Sequence, residues 1–141
     1  MIKYKLLLVS ILFILLSFSS YSQRNPQTTA LNRFSINNND TISTFFAKKP
    51  SKSWEIIKGK NYYWYDGTGI LITQEGYDGR VLDGEYKVFY PNNNLKEKGR
   101  FSKGLKDGEW KYWRADGSLQ EVQLWSKGEL EKIKKKKEKA N

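Results

Sequence analysis

The stretches Leu82–Phe89 (LDGEYKVF) and Lys106–Trp113 (KDGEWKYW) are two versions of one phrase, twenty-four residues apart. Sliding the chain by that interval aligns Asp83–Lys106 with Asp107–Leu130. Nine of the twenty-four pairs are identical, and three more exchange one aromatic residue for another. A weaker copy precedes them: Tyr62 falls in register with Tyr86 and Trp110, Tyr65 with Phe89 and Trp113, Leu71 with Leu95 and Leu119, and Tyr77 with Phe101 and Trp125. That copy has Gly59-Lys60 where the others have Asp-Gly, a divergence expected of a terminal unit with a neighbour on one side only.

Each unit reads as a β-hairpin. Glu109–Trp113 is an aromatic-rich strand, Ala115-Asp116-Gly117 a tight turn, Leu119–Trp125 the return strand and Ser126-Lys127-Gly128 the turn to the next unit. Pro91-Asn92-Asn93-Asn94 takes the turn in the middle copy. Alternation puts Trp110 and Tyr112 on one face and Lys111 and Trp113 on the other. Aromatic residues on both faces predict an all-β fold: a single meandering antiparallel sheet of about three 24-residue hairpin repeats.

Outside residues 54–130, three further segments are expected. Met1–Lys5 is basic, Leu6–Phe18 is an apolar run of thirteen residues, and Ser20 and Ser22 precede Gln23 as small residues do at a cleavage site. The run falls short of the ~20 residues of a spanning helix, so residues 1–22 read as a secretory signal cleaved near Ser22–Gln23. The protein is then exported, to the periplasm, cell envelope or exterior. Residues 23–53, rich in Asn, Thr and Ser, read as a flexible leader. Residues 131–141 read as a basic tail, either solvated and frayed or forming a helical turn.

Composition removes several chemistries. The chain has no cysteine and no histidine, which excludes disulfides, the usual zinc sites and His- or Cys-based nucleophiles. All five tryptophans and seven of the nine tyrosines lie from Trp54 onward. Losing Lys3 and Lys5 with the signal lowers the net charge from +10 to +8, of which the run Lys132–Lys139 carries +5. The acidic pairs Asp83/Glu85 and Asp107/Glu109 recur in register with the repeat, as structural positions do, so they are read as turn residues and not as an acid–base pair. No enzyme activity, metal or cofactor is expected.

The pattern D-G-x-aromatic-x-x-aromatic, a turn, a leucine, then aromatic-x-x-G is carried by Asp83, Gly84, Tyr86, Phe89, Leu95, Phe101 and Gly104. It recurs at Asp107, Gly108, Trp110, Trp113, Leu119, Trp125 and Gly128. It resembles the MORN repeat (membrane occupation and recognition nexus), in the bacterial form found in proteins labelled YwqK-family antitoxins. The resemblance implies stacked β-hairpins that bind or scaffold, with lipid or protein partners and no catalytic residues. The expected function is binding at the cell envelope through an aromatic-rich sheet surface. The alternative is an antitoxin-like protein that neutralises a partner protein. Candidate binding residues are Phe89, Lys111, Tyr112, Trp113 and Arg114. Lys132, Lys134, Lys135, Lys136, Lys137 and Lys139 are candidates for an anionic surface, lipid or polysaccharide. Nucleic acid is not an expected partner.

Overall fold

The computed structural model describes residues 32–135. The signal expected over 1–22, the leader up to residue 31, and Lys136, Lys137 and Lys139 lie outside the described residues. Within them run nine strands: β1 (Arg33–Asn38), β2 (Thr41–Lys48), β3 (Asn61–Tyr65), β4 (Ile70–Gln74), β5 (Arg80–Phe89), β6 (Leu95–Ser102), β7 (Leu105–Trp113), β8 (Leu119–Ser126) and β9 (Glu129–Lys135). They form one open antiparallel sheet in the order β1-β2-β5-β6-β7-β8-β9, with β3 joined to the start of β5 and β4 to β3.

The two strong repeats superpose bond for bond. Phe89 pairs with Leu95 and Gly84 with Phe101; twenty-four residues on, Trp113 pairs with Leu119 and Gly108 with Trp125. In the hairpin turns Tyr90 N donates to Asn94 O and Asn93 N to Tyr90 O, matched by Arg114 N to Ser118 O and Gly117 N to Arg114 O. Asn93 (φ 64°) and Gly117 (φ 84°) occupy the same left-handed position, which both residue types tolerate.

The recurring Asp-Gly is explained at the opposite end of the hairpins. Asp83 Oδ1 accepts from Lys103 N at 2.9 Å and Asp107 Oδ1 from Lys127 N at 3.2 Å. Each aspartate therefore caps not its own bend but the Lys-Gly turn twenty residues on, tying one repeat to the next. The glycine of that turn completes the tie, with Gly104 N donating to Leu82 O and Gly128 N to Lys106 O.

The hydrophobic core lies on one face, here called inner. Phe45, Ala47, Leu82, Phe101 and Trp110 are buried there. Trp110 makes ring contacts with Phe101 (4.9 Å) and Tyr86 (5.6 Å). Its indole lies directly over the backbone of Gly99, where a Cβ would stand 2.1 Å from the ring. Strand β3 covers part of this face: Tyr63 packs on Phe101 at 4.8 Å and Tyr65 on Phe45 at 5.3 Å. On the other side of β3, Tyr62 and Trp64 are buried with Val81 and Leu105. Aromatic side chains thus fill interior space on both sides of one thin sheet.

Three expectations change. The 23–53 leader contains a hairpin: Phe34 and Ile36 of β1, and Ser43, Phe45 and Ala47 of β2, turn inward at alternate positions, and Asn39-Asp40 make the turn. The 131–141 tail is neither frayed nor helical over its described part, because Glu129–Lys135 pairs with β8 as an edge strand. The weak first repeat is slipped: Tyr65 pairs with Ile70, not Leu71. Its turn is one residue shorter and is held by Asp66, which accepts from Thr68 N and Gly69 N. Tyr77 consequently lies outside β4 and packs on Tyr62 at 5.6 Å.

Candidate functional site

Strand pairing lines up side chains on the outer face. Thr44 stands opposite Lys87, Lys87 opposite Lys98, Lys98 opposite Lys111, Lys111 opposite Val122, and Val122 opposite Lys134. With strands ~4.8 Å apart, this row crosses roughly 24 Å of sheet and carries four lysines. Beside it runs a mixed row of Glu85, Arg100, Asp107, Glu109, Leu124 and Lys132. On the other flank pairing and alternation place an apolar row: Ile42, Phe89, Leu95, Trp113 and Leu119.

The charges in these rows are unequal. Six cations face three carboxylates, and one of those, Asp107, is engaged by the Lys127 amide. Glu85 bridges Lys87 (2.6 Å) and Lys98 (3.4 Å), and Glu109 holds Lys111 (2.7 Å). The hydrogen bond from Lys87 holds the Glu85 carboxyl below its ordinary range. Lys98 and Lys111 remain 47% and 42% exposed, so these pairs are surface pairs of small energy. The ammonium groups stay hydrated and able to meet an anion.

This face unites residues from separate parts of the sequence. Lys111 and Lys134 stand in the lysine row, Lys132 in the mixed row, and Phe89 and Trp113 in the apolar row. The outer face thus carries both sheet-surface candidates and the two tail lysines Lys132 and Lys134. Three candidates fall elsewhere. Arg114 opens the β7–β8 turn. Lys135 pairs with Glu121 at the edge of the inner face.

Tyr112 is the clearest correction, because it packs against the core. Its hydroxyl donates to Gln123 Oε1 (3.1 Å) and accepts from Lys106 Nζ (3.1 Å). Lys106 lies over the rings of Trp110 (4.1 Å) and Trp125 (5.2 Å) and pairs with Glu97 (3.5 Å). Burial pulls the Lys106 ammonium below the ordinary lysine range, with Glu97 opposing. Burial, reinforced by Glu97, raises Tyr112 and pushes Tyr86 up to about 12. This network is internal, with a cation held among rings.

Lys87 and Lys98 were missed in the sequence. Lys87 could have been found, since it is the repeat equivalent of Lys111. Lys98 joins them only through β5–β6 and β6–β7 pairing. Also unforeseen is a 420 Å³ cleft between the two Lys-Gly turns, lined by Trp54, Tyr62, Tyr77, Leu105, Lys103 and Lys127, among others. No family model matches the chain, and neither a curated protein nor a solved structure is significantly similar to it.

Proposed function

We propose that the protein is an exported, non-enzymatic, MORN-like hairpin-repeat module that docks on an anionic membrane surface of the cell envelope through the outer face of its sheet. The observation that carries this reading is the row Lys87–Lys98–Lys111–Lys134 beside the apolar row of Phe89, Leu95, Trp113 and Leu119. Lysines beside aromatic and aliphatic side chains suit the boundary between lipid headgroups and acyl chains. The core cluster of the inner face engages Phe45, Tyr86, Phe101, Trp110 and Tyr112, whereas Phe89 and Trp113 stand on the outer side.

Each lysine near an anionic surface contributes ~1 kcal/mol. Lys98→Glu/Lys111→Glu should therefore weaken co-sedimentation with vesicles containing anionic lipid by on the order of 30-fold or more. Binding to zwitterionic vesicles should be weak for both proteins. Equal binding to the two vesicle types, or an unchanged double variant, would refute the reading. Retention on an anionic polysaccharide without vesicle binding would replace the membrane by that polymer. Fractionation with N-terminal sequencing tests export separately: an intact Met1 in the cytosol would overturn it.

A further inference from the structure

Among the described residues strand β9 ends the sheet, paired with β8 on one side only. An edge strand exposes a row of unpaired N–H and C=O groups, and lysine on such an edge is a common guard against further pairing. The distribution of charge on β9 does not fit a simple guard. Glu129–Lys134 reads E-L-E-K-I-K, acidic in its first half and basic in its second, with one aliphatic residue in each.

Laid antiparallel on a copy of itself about a two-fold axis between residues 131 and 132, this segment is fully complementary. Glu129 meets Lys134 of the second copy, Leu130 meets Ile133, and Glu131 meets Lys132; symmetry repeats each pair. A shift by one residue in either direction destroys the match, setting Lys132 against Lys132 or Glu131 against Glu131. Opposite charges across antiparallel strands attract and like charges repel, so the register is specified.

The faces of the two aliphatic side chains agree with this pairing. Leu130 and Ile133 are three residues apart and would ordinarily point to opposite sides. The irregularity in β8–β9 pairing at Leu124/Trp125 places Leu130 opposite Trp125 and Ile133 opposite Gln123, both inner-face residues. Both aliphatic chains are left 43% and 46% exposed at the open end of the inner face. A two-fold axis perpendicular to the sheet keeps inner face with inner face, so Leu130 of each copy would cover Ile133 of the other.

We infer that the protein forms a symmetric dimer by antiparallel β9–β9 pairing, in which two nine-stranded sheets become one. The interface is isologous, the closed arrangement a two-fold produces. It carries the outer lysine rows of both copies on one side of a continuous sheet, and it does not depend on what those rows bind.

Sedimentation of the full chain between micromolar and millimolar concentration tests the inference. Glu129 already pairs with Lys60 of its own chain, so the informative positions are Glu131 and Lys132. Glu131→Lys and Lys132→Glu should each weaken dimerisation at least tenfold by placing like charges in register. The double variant E131K/K132E should restore it, and an equimolar mixture of the two single variants should form a heterodimer. A monomer at every concentration would overturn the inference. So would a dimer indifferent to these exchanges, as expected of association through Leu6–Phe18 or the β4 edge, or a double variant that fails to recover.

Discussion

Gly99→Ala adds one methyl group at the point where the packing has least room. The new Cβ would lie 2.1, 2.3 and 2.6 Å from Cδ2, Cε2 and Cε3 of Trp110, far inside the ~3.5–4.0 Å optimum for carbon atoms. The clash is with the body of a ring and not with the end of a flexible chain. The ring cannot retreat easily, because Phe101, Tyr86 and the Lys106 ammonium surround it. Overpacking typically costs 1–3 kcal/mol, and the immobility of Trp110 argues for the upper end. A loss of about 3 kcal/mol is therefore expected, net of the few tenths gained when alanine replaces glycine in a strand. In urea unfolding followed by far-ultraviolet circular dichroism, this should appear as a lowered midpoint with little change in slope. Trp110→Leu is destabilising alone but opens the space, so Gly99→Ala should cost well under 1 kcal/mol in that background. The two substitutions should be strongly non-additive. Stability of G99A within ~0.5 kcal/mol of wild type, or additive behaviour of the pair, would refute the stacking of Trp110 on the β6 backbone.

Asp107→Ala removes the acceptor for the Lys127 amide and should cost about 1 kcal/mol, with faster hydrogen exchange at that amide; unchanged exchange would show that Asp107 does not tie successive repeats. Tyr86 supplies a pH dependence. Its folded-state pKa of about 12 exceeds the ordinary 10.0, so its contribution is complete below pH 10 and is lost as pH rises to about 12. That contribution amounts to about 2–3 kcal/mol. Tyr63 and Tyr112 shift in the same direction, whereas the lowered Lys106 gains stability as pH rises toward the ordinary lysine range. Tyr86→Phe should flatten the loss of stability between pH 10 and 12 in urea titrations, and a decline parallel to wild type would contradict the burial of that hydroxyl.

The two central hairpins were legible because hydrogen bonding and sequence repeat with the same period. Asp83 and Asp107, Tyr86 and Trp110, Asn93 and Gly117 occupy equivalent places, and the second copy makes the first readable. The β1–β2 hairpin was obscured because its inward residues are few, Phe34, Ile36, Ser43, Phe45 and Ala47, and stand in an Asn- and Thr-rich background. Local propensity also hid β9, since glutamate and lysine are depleted in strands; its structure comes from pairing with β8. Tyr112 misled because alternation assigns a face but not whether that face is covered. Tyr63, forty-nine residues earlier, helps to cover it from β3. The outer lysine rows were half visible, as Lys111 and the tail lysines, but their alignment is a property of register across five strands.

The same register changes the meaning of the C-terminal lysines. As a loose tail they would be an adaptable charge tag, equally effective on an unfolded chain. In β9, Lys132 and Lys134 are held at strand spacing from Leu124 and Val122, Lys134 in the row of Lys111 and Lys98 and Lys132 in the row of Glu109. Comparison with β7 shows how the strand is adapted to its place: the position of buried Trp110 becomes Lys134, and that of internal Lys106 becomes Leu130. A further repeat stacked on β9 would need the aromatic residue that is missing, whereas a two-fold copy needs the acidic first half, the basic second half and the two aliphatic residues that are present. Strand β9 therefore suits a two-fold copy better than another repeat, with Lys132 and Lys134 on the outer face and Leu130 and Ile133 on the inner one.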